Sequence, residues 1–370
     1  MVKLSLFCGV LSLAAAAQAQ TGVRARDLGI PFDGKPGPLN AITDVAGVAV
    51  GHATIVRDAN VRTGVTAVLP RGRDNSDAVF AGWFSLNGNG EMTGTTWIEE
   101  SGFLEGPVMI TNTHSVGIVR DAVIEHQVKN AKPGMQSWGL PVVAETYDGY
   151  LNDINGFHVK REHAFEAIDT AKAGVAVAEG AVGGGTGMVC HEFKGGIGTA
   201  SRMLPGGYTL GVLVQCNYGL RRQLRIAGTP VGQEIADGAF RPAEQGSIII
   251  VIATDAPLLP HQLKRLARRA GMGIARTGST SGNGSGDIFV AFSTANAGAA
   301  ASKGLRDLKM VPNEEMNAIF TATIEAVEES VVNALVAGRT MTGFQGHTVQ
   351  GLPHDRTVEV LKKYNRLAAR

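Results

Sequence analysis

The chain is short of three things: it has 3 cysteines in 370 residues, 6% aromatics and a formal net charge of only +1. Each shortage removes a class of function. A near-neutral chain has no electrostatic footprint for nucleic acid or for anionic lipid. Cysteine this sparse builds no disulfide scaffold, and no metal-ligand spacing stands in its place. Cys190-His191-Glu192 lacks a second ligand pair, H-E-x-x-H is absent, and the histidines are scattered singly. Neither a metal nor another cofactor is therefore expected. No internal repeat and no low-complexity linker marks a domain boundary. No apolar run reaches the length that spans a bilayer; the longest, Leu4 to Ala17, is too short and is broken by Ser5 and Ser12.

That run follows Lys3 and leads into Ala17-Gln18-Ala19, the small-x-small pattern of a signal peptidase site. Residues 1–19 are expected to be a signal peptide, and the protein to be periplasmic or secreted. Its removal leaves 351 residues (370 − 19) and takes away Lys3, so 33 basic face 33 acidic residues. Cys8 leaves with it. Cys190 and Cys216 are expected to be buried free thiols, with a disulfide left open because sequence does not give their separation.

Glycine is what the chain has in abundance, 49 residues, and apolar residues remain plentiful around it, so tight turns are expected rather than disorder. Runs rich in Val, Ile and Thr between the glycines read as strands: 45–50, 65–69, 107–111, 208–215, 248–254 and 288–293. Helical spacing predicts helices over 161–174, over 260–271 with Lys264, Arg265, Arg268 and Arg269 on a solvated face, and from Pro312 to Gly338. The order lacks a regular βαβ beat, which favours a layered α+β sandwich over a doubly wound parallel sheet.

Three glycine segments could carry chemistry. Gly183-Gly184-Gly185-Thr186-Gly187 has neither the Lys-Ser/Thr ending of a phosphate loop nor a dinucleotide fingerprint, so it reads as a tight turn or a close backbone approach to a small ligand. Gly246-Ser247 opens a buried strand. Glycine allows the preceding peptide to be held strained, with its carbonyl open to the Ser247 hydroxyl. An ester forms and water releases it. Ser247 then owns a free α-amine of unperturbed pKa about 7.7–8.0, so nucleophile and general base belong to one residue. Downstream, Ser281-Gly282-Asn283-Gly284-Ser285-Gly286-Asp287 is by itself a hairpin turn, yet Ser285 and Asp287 can form a hydroxyl–carboxylate relay beside that nucleophile.

Beyond these segments, the chain resembles the exported L-aminopeptidase/D-esterase-amidases and their relatives, the β-peptidyl aminopeptidases. The likeness runs through Asn40 to Val45, Val50 to Thr54, Asn112 to Gly117, Glu179-Gly180, Lys194 to Thr199, Val214 to Asn217, Ala253 to Leu258 and the Ser285 turn. It implies a four-layer αββα sandwich like that of the N-terminal-nucleophile hydrolases but with different connectivity, as in ornithine acetyltransferase. It implies self-cleavage between Gly246 and Ser247 into an α-subunit, 20–246, and a β-subunit, 247–370, with tetramers of cleaved pairs. By the same likeness Ser247 is the nucleophile, Asn217 helps hold the oxyanion, Tyr147 supplies a hydroxyl near the reacting carbonyl, and Ser285 and Asp287 form the relay. Tyr147 leans towards the L-aminopeptidase/D-amidase branch; action on β-alanyl or β-homoamino peptides is the alternative, and acyl transfer a more distant one. Substrates are small peptides, amides or esters with a free amine, which calls for an acidic or carbonyl-rich spot beside Ser247 that the sequence does not identify.

Overall fold

The computed structural model describes residues 22–131, 134 and 136–368; the expected signal peptide lies outside them. The described chain is a mixed α/β fold built on two larger sheets and their helices. One sheet runs in the order Val142–Thr146, Val108–Asn112, Val61–Leu69, Ala49–Arg57, Lys172–Ala173. The other runs Gly196–Met203, Thr209–Asn217, Ser247–Thr254, Asp287–Ser293, Val79–Ser85, Phe103–Leu104. Neighbours are antiparallel except for one parallel pair in each sheet, Val108–Asn112 with Val142–Thr146 and Ser247–Thr254 with Asp287–Ser293.

Alternation along the strands explains how the layers pack. In Ser247–Thr254 every residue is buried, as expected of a strand covered on both faces. Ile249, Val251 and Ala253 point one way and join Val50, Val68 and Ile110 of the other sheet. Ile248, Ile250 and Ile252 point the other way, against Leu263 and Leu266 of helix Pro260–Thr277 and Val327 and Val331 of helix Met316–Ala337. On the first sheet's outer face, Ala53, Val65 and Met109 meet Val119 and Val123 of helix Val116–Lys129 and Ala164 and Ile168 of helix Arg161–Asp169.

Four expectations need correction. The helix expected over 161–174 stops at Asp169, because Lys172–Ala173 pairs with Ala49 and Val50 as an edge strand. The helix expected to end at Gly271 continues to Thr277, where Gly278 closes it at φ 102°. The strand expected over 45–50 begins only at Ala49, after a 3-10 turn at Ile42–Asp44. Cys190 and Cys216 are not free thiols: their sulfurs are bonded, with the Cα atoms 5.5 Å apart. The physical reason is local. Val189 N–H donates to Asn217 Oδ1 (2.7 Å) and His191 N–H to Tyr218 O (2.7 Å), and these bonds hold Cys190 against the end of the neighbouring strand. The Gly183 turn is buried and packed by Thr54, Thr66 and Gln215, so it is a tight turn of the interior.

Candidate active site

Ser247 is the first residue of its strand and stands opposite Asn217, the last residue of the neighbouring antiparallel strand. Gly246, just before it, has φ 120°, and a Cβ there would lie 1.9 Å from the Asn217 carbonyl oxygen. Only glycine fits this backbone at this spacing. The Ser247 hydroxyl is only 4% exposed as a residue and accepts a hydrogen bond from Gly286 N–H at 3.1 Å. The hydroxyl is therefore buried, held by one backbone N–H, next to a glycine peptide with no room for a side chain.

The Ser285-Gly286-Asp287 turn reaches Ser247 through its backbone amide. Ser285 donates to Asp287 Oδ1 at 2.6 Å, so the two residues form the pair that the sequence suggested. Asp287 is the parallel neighbour of Ile248, and burial, opposed by bonds from Ser285, Ser281 and the Ile248 N–H, pushes its carboxyl above the usual carboxylate range. Asn87 locks the same residue, accepting from Asp287 N–H at 2.6 Å and donating to Oδ2 at 3.3 Å. Asn87 lay outside the sequence reading, since an asparagine in a surface-like Ser-Leu-Asn-Gly run carries no signal.

Asn217 is held from two sides. Its Oδ1 accepts from Val189 N–H, and its Nδ2 donates to the Tyr147 carbonyl at 2.8 Å. One Nδ2 hydrogen remains, and the Cβ position of Gly246 is 3.4 Å from that nitrogen. Tyr147 thus meets the site by its backbone. Its ring is 51% exposed, and its hydroxyl makes no hydrogen bond among the described residues.

Glu145, two residues earlier, was missed. A glutamate in a strand run reads as a solvent-facing residue, but this one is 3% exposed. Its Oε2 accepts from Thr113 Oγ1 (2.5 Å) and its Oε1 from Glu91 N–H (3.1 Å). Burial is the main reason its carboxyl is held above the usual range. Oε1 lies 3.3 Å, and Gly286 Cα 3.0 Å, from the point a Cβ on Gly90 would occupy, so the carboxylate and the Ser247-binding turn flank the same glycine. No Lys, Arg or His among the described residues pairs with Glu145 within 4 Å. Such a buried carboxyl, with no cation beside it, is a candidate functional group.

The segment entering the site is pinned as well. Glu192 Oε1 accepts from Phe240 and Arg241 N–H, and Arg221 donates to the carbonyls of Ile235 and Asp237. Glu244 accepts from Ser279 and Thr280. These contacts pin residues 235–244, just ahead of the Gly246-Ser247 step. No group of three His, Cys, Asp or Glu among the described residues is arranged to hold a metal ion.

Comparison with known proteins identifies the family. The sequence profile of peptidase family S58 matches residues 40–349. The β-peptidyl aminopeptidase BapA of Sphingosinicella microcystinivorans is 55% identical over 99% of this chain and 98% of its own, and that of Sphingosinicella xenopeptidilytica is 46% identical over 95% and 94%. Among solved structures, the L-aminopeptidase D-Ala-esterase/amidase of Ochrobactrum anthropi, described as a variant of the N-terminal-nucleophile hydrolase fold, superposes with TM-score 0.87 at 49% identity. The match covers 93% of this chain and 99% of that one. A Burkholderia β-aminopeptidase gives TM-score 0.87 at 50% identity, over 94% and 100%.

Proposed function

The chain belongs to peptidase family S58 and is an aminopeptidase; on that premise we propose that it matures by cutting itself at Gly246-Ser247 and then removes N-terminal residues through an acyl-enzyme on Ser247. The observation that carries this is the Gly246-Ser247 step itself: a positive-φ glycine with no room for a side chain, joined to a buried serine whose hydroxyl rests on Gly286 N–H.

In self-cleavage the Ser247 Oγ attacks the Gly246 carbonyl carbon. The Gly246–Ser247 C–N bond breaks as the nitrogen takes a proton, leaving an ester that water hydrolyses to a Gly246 carboxylate and a free Ser247 amine. In turnover that amine accepts the Ser247 hydroxyl proton and returns it to the leaving group. The remaining Nδ2 hydrogen of Asn217 meets the oxyanion in both reactions, while Ser285 and Asp287 orient the new N-terminus. Glu145 receives the substrate's ammonium, which makes the enzyme an aminopeptidase rather than an endopeptidase.

The branch reading remains the L-aminopeptidase/D-amidase-esterase type, on Tyr147. The 55% and 46% identical relatives favour β-aminoacyl peptides as the second reading. Kinetics on a panel of L-, D- and β-aminoacyl amides separate the two. The four-layer αββα reading, with a single core spanning 20–246 and 247–370, is supported by the three apolar clusters between and outside the sheets. Export through residues 1–19 is supported by the Cys190–Cys216 bond, which persists in oxidising compartments; assembly as tetramers rests on the family likeness.

Intact mass and N-terminal sequencing of wild type and Ser247→Ala provide the test. Expected are two wild-type fragments, one beginning Ser-Ile-Ile, and a single inactive mutant chain. An active wild type that stays whole sinks the reading.

A further inference from the structure

Lys194 is the one fully buried lysine described, and the fold gives no stability reason for it. Its Nζ donates to three backbone carbonyls, Gly185 (3.3 Å), Met188 (2.9 Å) and Gly195 (2.9 Å), and to no carboxylate. Burying an ammonium without a counter-charge is costly, and an apolar side chain of the same size would serve packing better. Burial pulls its pKa down to about 7, and no charged side chain of any element packed against it contributes to that shift.

What the ammonium touches gives it a purpose. The Met188 carbonyl is one end of the Met188–Val189 peptide, and the other end, Val189 N–H, donates to Asn217 Oδ1 at 2.7 Å. A positive charge on a peptide oxygen strengthens that peptide's N–H as a donor, because electron density moves along the conjugated group. The same logic applies once more across the Asn217 carboxamide: a stronger pull on Oδ1 makes Nδ2 the better donor. Asn217 Nδ2 already spends one hydrogen on the Tyr147 carbonyl. Its other hydrogen therefore has a fixed direction. The Cys190–Cys216 bond joins the residues next to Val189 and Asn217, so this hydrogen bond cannot swing open without moving a covalent bridge.

We propose that Lys194 is a positioning residue for the reaction, fixing and polarising the Asn217 carboxamide as an oxyanion donor through the single Met188–Val189 peptide. The proposal rests on the oxyanion role given to Asn217 above. It adds that the donor's strength is set by a charge one peptide away, which never touches the substrate.

The test is a double-mutant cycle on the rate of self-cleavage, followed by gel electrophoresis of freshly made precursor. The precursor is suited to it because Ser247 has no free amine before the cut. Asn217→Ala is expected to slow cleavage by roughly 10²–10³-fold and Lys194→Met by about tenfold, the scale of one charge-assisted hydrogen bond. In the double variant Lys194→Met adds less than about twofold, because the group it acts through is gone. Equal slowing in both backgrounds, or no slowing in either, overturns the proposal and leaves the Asn217 role standing. Cleavage of Asn217→Ala at the wild-type rate removes that role and the proposal with it.

A pH profile supplies a readout that a purely structural lysine would not move. The wild-type rate is expected to fall as pH rises through about 7, where Lys194 loses its proton, and the limb is expected to be absent from Asn217→Ala. Should Lys194→Met fail to fold, that comparison decides alone: a limb that persists in Asn217→Ala overturns the proposal.

Discussion

The two parallel strand pairs, one in each sheet, meet the site by opposite ends. Val108–Asn112 and Val142–Thr146 arrive with their C-terminal ends and deliver Thr113, Glu145 and Tyr147. Ser247–Thr254 and Asp287–Ser293 leave with their N-terminal ends and begin on Ser247 and Asp287. The difference follows from what each side must do. Under the proposed self-cleavage, a residue that becomes a chain terminus has to open an element, so that cutting before it breaks no ladder; Ser247 pairs with Asn217 alone, while Ile248 to Thr254 pair with both adjoining strands. A recognition group has no such constraint: Glu145 is buried near the end of its strand, and Tyr147 stands half exposed just past it. Under the proposed function the second sheet carries the chemistry and the first the selectivity, and substitutions should split accordingly.

The largest expected effect is on the chemical side. Gly246→Ala forces a Cβ to within 1.9 Å of the Asn217 carbonyl at φ 120°, a conformation that L-residues other than glycine pay heavily to adopt. The carbonyl to be attacked moves off its line, and the precursor is expected to cleave at least about 100-fold more slowly, since small misplacements of reacting groups cost that much. Timed gel electrophoresis reads it. Cleavage within about threefold of wild type would show that the strained glycine is no part of the chemistry.

Glu145→Gln tests the other side. Leaving a substrate ammonium without its buried partner costs at least about 2 kcal/mol, so KM is expected to rise about 30-fold while kcat changes little, and self-cleavage, which involves no substrate amine, proceeds normally. The pH dependence has a defined sign. The wild-type carboxyl sits above its usual range and binds ammonium only when ionised, so KM rises as pH falls through that raised value. In Glu145→Gln the acid limb disappears. A loss confined to kcat would move Glu145 across to the chemical side and break the division.

How much of this was legible in the sequence follows the same division. Ser247, Ser285 and Asp287 sit where glycine turns enter unbroken apolar runs, and a buried strand declares itself by composition. Helix Met316–Ala337 was legible through Pro312 and Gly338 at its ends. Helix Val116–Lys129 was not read, since Ile118, Ile124 and the exposed Val128 lie outside its buried stripe of Val116, Val119, Ala122 and Val123 and blur the periodicity. Strand Gly196–Met203 was hidden by its small and hydroxyl residues. Glu145 and Lys194 escaped for one shared reason: a charge in a sequence says nothing about the burial that gives it meaning, and only the fold supplies that. The Cys190–Cys216 bond likewise depends on a backbone bond to the Asn217 side chain and one between main chains, neither with a sequence signature.

That bond gives a smaller prediction on the chemical side. Cys190 and Cys216 are 26 residues apart, and closing a loop of that size in the unfolded chain stabilises the fold by about 3.5 kcal/mol in the chain-entropy account. Cys190→Ser is expected to lower the denaturant midpoint by a corresponding amount, measured by fluorescence with urea, and reductant should then have no further effect. A midpoint equal to that of wild type would mean that the strand ends are held by their hydrogen bonds alone.

The smallest effect is expected at the boundary between the two sides. Tyr147 touches Asn217 through its main-chain carbonyl, a contact that Tyr147→Phe keeps, and its ring is half exposed with the hydroxyl unpartnered among the described residues. With the hydroxyl unpartnered, its loss should lower kcat/KM by less than about tenfold, the worth of one hydrogen bond to an exposed donor. The loss should fall unevenly across L-, D- and β-aminoacyl amides, because each backbone presents its carbonyl at a different reach. A drop of 100-fold or more in kcat on every substrate would instead place the hydroxyl on the reacting carbonyl in the complex. Tyr147 would then belong with Asn217 as a second oxyanion donor, and the chemistry would draw on both sheets at once.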